Sequence, residues 1–283
     1  MAGDSKKHRD HADVDRALQD WRQGDVVLGQ HWFVHRLDPS LAITDSGRAA
    51  AEQGADLAED ETAGLVILSQ TCDVVRSCSE RPYVEVCALV EVDQDDLEDI
   101  ERGRRPAYAF LPRLADRRLV ADLDRTMTVE KPVVAGWQRT AGHSGDEQAR
   151  AFAEALARKR ARFAFPDDFN ELVAKLKGRL RDKHARNTQE GRALRALREI
   201  RVSAAPSWES DSITLTFWFI RHDTHVDFEG TSWSALMEGW LHLVPSSGRF
   251  REIFGQVATL DELTAADFVH SDRLDLDHIS RSV

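Results

Sequence analysis

A chain of 283 residues with 42% hydrophobic content and seven tryptophans is long enough for about two domains with real cores. Its net charge of −11 argues against nucleic acid as a partner for the surface as a whole, and no run reaches the ~18 apolar residues of a membrane span. Three cysteines, Cys72, Cys78 and Cys87, make neither a disulfide framework nor a zinc-ribbon spacing, so no metal and no cofactor is expected.

The opening "MAGDSKKHRDHADVD" lacks an apolar secretory segment, which fits a soluble cytoplasmic protein, and residues 1–20 read as a charged arm. "GDVVLGQHWFV" reads as the first strand. "DPSLAITDSGRAAAEQGADLAEDETA", residues 38–63, reads as a long insertion, functional or mobile, that lies as a flap. "GLVILSQ" and "YVEVCALVEV" are two further strands. In the second of them Tyr83, Glu85, Cys87 and Leu89 share one face, and Val84, Val86, Ala88 and Val90 the other. "YAFLPRL" with "LVADL" reads as a hairpin and "TMTVEKPVV" as the last strand, ending near Trp137.

A linker over 138–148 precedes a helical, basic α+β domain over 149–283. Phe169, Leu172, Val173, Leu176 and Leu180 form one helical stripe behind Pro166, Asp167 and Asp168. Asn187 or Thr188 caps a third helix carrying Leu194, Leu197 and Ile200 inward, and the strands "IRVSAA" and "ITLTFWFI" follow. Ser232 caps a helix with an apolar stripe from Trp233 to Val244, Thr259 and Glu262 form a capping box, and "DRLDLDHIS" is a terminal edge strand.

The order of pieces in residues 21–137 resembles the MazF/PemK toxin family. "RQGDVVLGQHWF" is similar to that family's opening strand, "AGLVILSQTCDV" to its second and "YVEVCALVEV" to its third. "AFLPRLADRRLVADLDRTMTVEKPVV" is similar to its leucine-proline hairpin and final strand. The resemblance implies an SH3-like β-barrel, closed or nearly so, RNA as the substrate class, and a toxin–antitoxin or defence-system setting in bacteria. It also implies metal-free cleavage through the ribose 2′-hydroxyl, using an arginine before the second strand and a threonine at the end of the third. Here Glu61, Thr62 and Ala63 precede the second strand and Val90-Glu91 ends the third, so both groups are missing from their places.

Two clusters carry candidate chemistry. Ser69, Gln70 and Thr71 end the second strand where a barrel groove would lie, followed by Cys72 and Asp73. A nucleophilic Cys72 needs a base, which His31 or His35 would supply and Asp73 orient. The plainer reading makes Cys72 a small buried hydrophobe and Asp73 a turn residue. The second cluster is cationic: residues 150–201 hold fifteen Lys/Arg against seven Asp/Glu. Lys175, Lys177, Arg179, Arg181, Lys183, His184 and Arg186 interleave with the leucine stripe and would neutralise phosphates without reading bases. The expectation is a nucleic-acid-binding protein, RNA before DNA, with room for a protein partner and a homo-oligomer and none for a membrane. A divergent ribonuclease, a Cys72-based hydrolase and a non-catalytic protein-interaction module stand as alternatives.

Overall fold

The computed structural model describes residues 10–103, 105–161, 163–184, 186–223, 226, 228 and 230–274, and the chain divides into two units after Arg160. Among the described residues the chain opens at Asp10, whose carboxylate accepts the Asp13 amide at 2.8 Å and caps α1 (His11–Leu18). Val14 and Leu18 of this helix are buried beside Trp21. Residues 10–20 are therefore packed structure rather than an arm, and residues 1–9 lie outside those described.

β1 (Val26–Arg36), α2 (Asp45–Glu52) and β2 (Leu57–Ile67) follow. β1 and β2 pair antiparallel from Val26 with Val66 out to Arg36 with Leu57. The expected 38–63 insertion is thus a helix, capped by the Thr44 hydroxyl, plus the outer half of β2. The run Glu59-Asp60-Glu61 hid that strand because it shows no apolar alternation, whereas the ladder with β1 needs only main-chain groups. A register shift falls between Leu28 and His31, where Gly29 sits at φ +111°. Opposite Leu28, Gly64 at φ +150° leaves no room for a Cβ, which would run into the Val27 carbonyl.

The first unit continues through α3 (Thr71–Val75), β3 (Tyr83–Glu91), α4 (Gln94–Glu101), β4 (Tyr108–Ala109), β5 (Leu119–Glu130), α5 (Lys131–Val134), β6 (Arg139–Thr140) and α6 (Gly145–Arg160). Its strands make one antiparallel sheet in the order β4-β5-β3-β2-β1-β6, curled into a half-barrel. The Arg113 amide donates to the Gly142 carbonyl at 3.2 Å beyond the two ends, but no ladder joins β4 to β6 among the described residues. Alternation in β3 sends Cys87 and Leu89 into one apolar layer with Val26, Val66, Phe152 and Leu156. Val84 and Val86 enter another with Val27, Leu65, Val74 and Val134. Helix α6 belongs to this unit: Lys159 pairs with Asp124 and Arg160 with Glu85, so the boundary lies after Arg160 rather than in 138–148.

The second unit comprises α7 (Asp167–Leu172), α8 (Ala174–His184), α9 (Gln189–Ala196), β7 (Leu197–Ala205), β8 (Ile213–Arg221), α10 (Trp233–Leu241), β9 (Phe250–Ala258), α11 (Ala265–Val269) and β10 (Asp272–Arg273). Its sheet runs β10-β7-β8-β9, with β8 and β9 parallel. The stripe from Phe169 to Leu180 is buried against Ile200, Val202, Leu215 and Phe217, as helical spacing requires. Thr188 caps α9, while Leu197 and Ile200 belong to β7 rather than to the helix. Asp168 holds Arg249 through two hydrogen bonds of 2.6 and 2.9 Å, and that guanidinium keeps its carboxyl below the usual range. Of the terminal edge strand, Asp272–Arg273 pairs with β7, and residues 275–283 lie outside those described.

Lys131 fastens the half-barrel from within. Its side chain is fully buried, and Nζ donates to the Asp73 and Arg76 carbonyls at 2.8 and 2.5 Å, closing the open end of α3. Burial pulls its pKa below the ordinary lysine value, partly offset by Asp15. Lys131→Met should lower the unfolding free energy by about 2–4 kcal/mol, because two buried carbonyls lose a charged donor. The unfolded chain binds more protons between the lowered folded pKa and the unfolded value of about 10.4, so this lysine's contribution to stability rises with pH across that window. Urea melts against pH should show that rise in the wild type and lose it in Lys131→Met.

Candidate functional site

The outer half of β1 sets the geometry of an open groove in the first unit. After the shift at Gly29, Phe33 turns inward and is 8% exposed, while Trp32 and Val34 on the opposite face are 47% and 37% exposed. The arm stands beside β5 and α5 across a groove of about 680 Å3. His31, Trp32, Val34, His35 and Arg36 line one wall, with Thr126, Met127, Thr128, Val133 and Trp137 on the other. The lining is mainly apolar, and its cation is engaged, since Arg36 pairs with Asp56.

The two histidines are held by packing. His31 meets Trp137 edge-on at 5.4 Å, and burial lowers its pKa, so it is neutral near pH 7. His35 stacks on Phe33 at 5.5 Å. Its Nε2 lies 3.4 Å from the Thr44 hydroxyl, and Asp60 Oδ2 lies 3.5 Å from Nδ1, an ionic contact without hydrogen-bond geometry. Among the described residues no hydrogen bond, ion pair or ring contact joins either ring to Cys72 or Asp73.

The Ser69–Asp73 stretch works as a fastening. The Ser69 hydroxyl accepts the Glu85 amide at 2.8 Å, and the Thr71 hydroxyl accepts the Gln23 amide at 3.2 Å. Gln23 reaches back to the Leu68 carbonyl at 2.8 Å. Gln70 precedes α3, its carbonyl accepting the Asp73 and Val74 amides at 2.9 and 3.0 Å and its side chain a long contact of 3.7 Å from the Cys72 thiol. Asp73 lies 3.9 Å from Arg76, and its carbonyl takes the Lys131 bond. Cys72 is exposed on this turn, contrary to its reading as a small buried hydrophobe, because the strand has already ended and α3 turns the side chain outward. No base or cation stands beside the thiol among the described residues.

The cations predicted for the second unit, Lys175 to Arg186, fall on α8 and the turn after it. Arg179 is spent on Glu190, which it grips at 2.9 and 2.8 Å and which also accepts Trp240 Nε1 at 3.0 Å. Lys177 reaches Asn170 at 3.2 Å, and Arg186 the Asp182 carbonyl at 2.8 Å. Arg181 is exposed and His184 half-buried, each with a partner of its own. Lys175 and Lys183 make no ion pair among the described residues, and neither do Arg192 and Arg198, which the helical stripe alone did not single out. Arg195 donates to the His184 carbonyl at 2.6 Å and the Arg186 carbonyl at 3.1 Å, a placement that leaves its charge without a carboxylate.

Trp32, Met127, Val133 and Trp137 carried no sequence signal as a group, because three separate elements bring them together. The signal that existed was alternation running past Gly29 through "HWFVHR". No described group of three or more His, Cys, Asp or Glu side chains is placed to hold a metal ion, and no described helix is long and apolar enough to cross a membrane. Comparison with protein-family models, curated proteins and solved structures finds no match for the chain.

The exposure of Cys72 has a direct test. Native protein treated with iodoacetamide should take up label at Cys72, while buried Cys78 and Cys87 label only on unfolding. Cys72→Ser should change stability by no more than about 0.5 kcal/mol, the range of surface substitutions. Native labelling at Cys87 instead would contradict the packing of β3.

Proposed function

We propose that this chain is a nucleic-acid-binding protein directed at RNA, in a toxin-like or defence-related setting, with a divergent SH3-like barrel of the MazF/PemK kind as its first unit. The barrel reading rests on the four motifs quoted above and is supported by the curled antiparallel sheet. The observation that carries nucleic-acid binding is the charge on the second unit. Residues 174–198 hold nine Lys/Arg against two acids, Asp182 and Glu190, and Glu190 is already paired with Arg179. Lys175, Lys183, Arg192 and Arg198 are left to meet phosphates.

Binding suits this chain better than catalysis. The toxin family's arginine and threonine are missing from their places, and no hydrogen bond or ring contact links Cys72 to His31 or His35 among the described residues. Neither the ribonuclease nor the thiol-hydrolase alternative has an assembled set of groups behind it.

Oligouridylate binding measured against salt tests the reading. Affinity should fall as salt rises, each phosphate contact adding about 0.7 to the log–log slope for a single strand. The triple variant Lys175→Ala, Lys183→Ala, Arg192→Ala should lower the slope by about 2 and weaken all sequences alike. Absence of RNA and DNA binding at low salt would remove the proposal.

A further inference from the structure

We infer that the outer half of β1 is a docking edge for an extended peptide segment of a partner protein, one that adds as a strand and alternates apolar with basic residues. The inference is independent of the nucleic-acid reading, since it concerns the other unit. Among the described residues, β1 pairs beyond Val27 with β2 alone, and β6 covers Val26 and Val27. The Val34 amide shows which way the free edge faces, because it points away from β2 and meets only the Met127 thioether, at 3.4 Å. With the two-residue period of a strand, the main-chain groups of Trp32 and Arg36 face the same way. A thioether is a weak acceptor, so this edge offers a strand its ladder almost unspent.

Side chains define what kind of strand fits. Trp32 and Val34 expose apolar surface along the edge, and among the described residues no proline, lysine or covering helix blunts it, while Arg36, the arginine at its end, is taken up by Asp56. Across the ladder Trp32 stands opposite Glu61 and Val34 opposite Glu59, both exposed and without an ion pair among the described residues. An added strand lays its side chains on this same face two strands, or about 10 Å, from those carboxylates, a span that a Lys or Arg side chain and a Glu side chain bridge together across the face of β1. The same two carboxylates repel a phosphate backbone. They also disfavour a second copy of this chain, whose own Glu59 and Glu61 would join one continuous acidic face. Met127, unbranched and flexible, is the group that swings aside as the groove fills.

Panning a phage-displayed library of random peptides of about ten residues, roughly one long strand, against the full chain tests this. Enriched sequences should alternate apolar residues with Lys or Arg, and synthetic copies should bind the wild type. Val34→Pro removes an outward amide that the fold does not use for its ladder, so it should melt near the wild type yet bind these peptides at least about tenfold more weakly. Should that variant fold poorly, Glu59→Lys with Glu61→Lys on the solvent face should produce the same loss. Enrichment without the alternating pattern would overturn the inference, as would peptides that bind Val34→Pro equally well. So would displacement of the peptides by oligouridylate, or a wild-type dimer in sedimentation that Val34→Pro dissociates.

Discussion

A β-strand has two hydrogen-bonding edges, and from His31 to Arg36 only one edge of β1 is paired among the described residues. That constraint orders the first unit. Pairing with β2 makes a long hairpin whose outer half stands away from the rest of the sheet, and α2 follows at its tip. The free edge of the hairpin faces β5 across the groove, so the sheet curls toward closure without completing a ladder there. Where a closed barrel would satisfy those main-chain groups internally, the half-barrel leaves them to solvent or to another strand.

The base of the hairpin is held by polar fastenings rather than by apolar packing alone. Lys131 closes the end of α3, Ser69 and Thr71 tie the same turn to β3 and to Gln23, and Asp25 takes Arg139 at 2.6 Å and the Arg22 amide at 2.7 Å. Each buried polar group here has a partner, which is the condition for its being tolerated at all. These fastenings explain why a core strand ends in Ser-Gln-Thr-Cys-Asp: the residues secure a chain reversal over a buried ammonium. The thiol among them is left outside.

Much of the fold was legible in the sequence, and the failures share a cause. The alternation in β3 and the helical stripe from Phe169 to Leu180 predicted which side chains are buried, because apolar periodicity reports a face in contact with a core. The outer part of β2 carries acids at three consecutive positions, so its strand character lay in main-chain pairing that side chains do not record. Helix α1 was hidden likewise, since Val14 and Leu18 are its only large apolar residues. For the site, His31 and His35 were found at the groove but not beside Cys72, because proximity across a curled sheet depends on register that spacing along the chain cannot supply. Lys131 stood out only as part of a motif; that its ammonium is buried follows from α3 lying over it.

The central claim is the open edge of β1, and amide hydrogen exchange of the full chain measures it residue by residue. Amides of Phe33 and His35, directed at β2, should exchange slowly, while those of Trp32 and Val34 exchange at least about a hundredfold faster under native conditions. Equal protection of the four amides would mean that the edge is already paired, and would contradict the account.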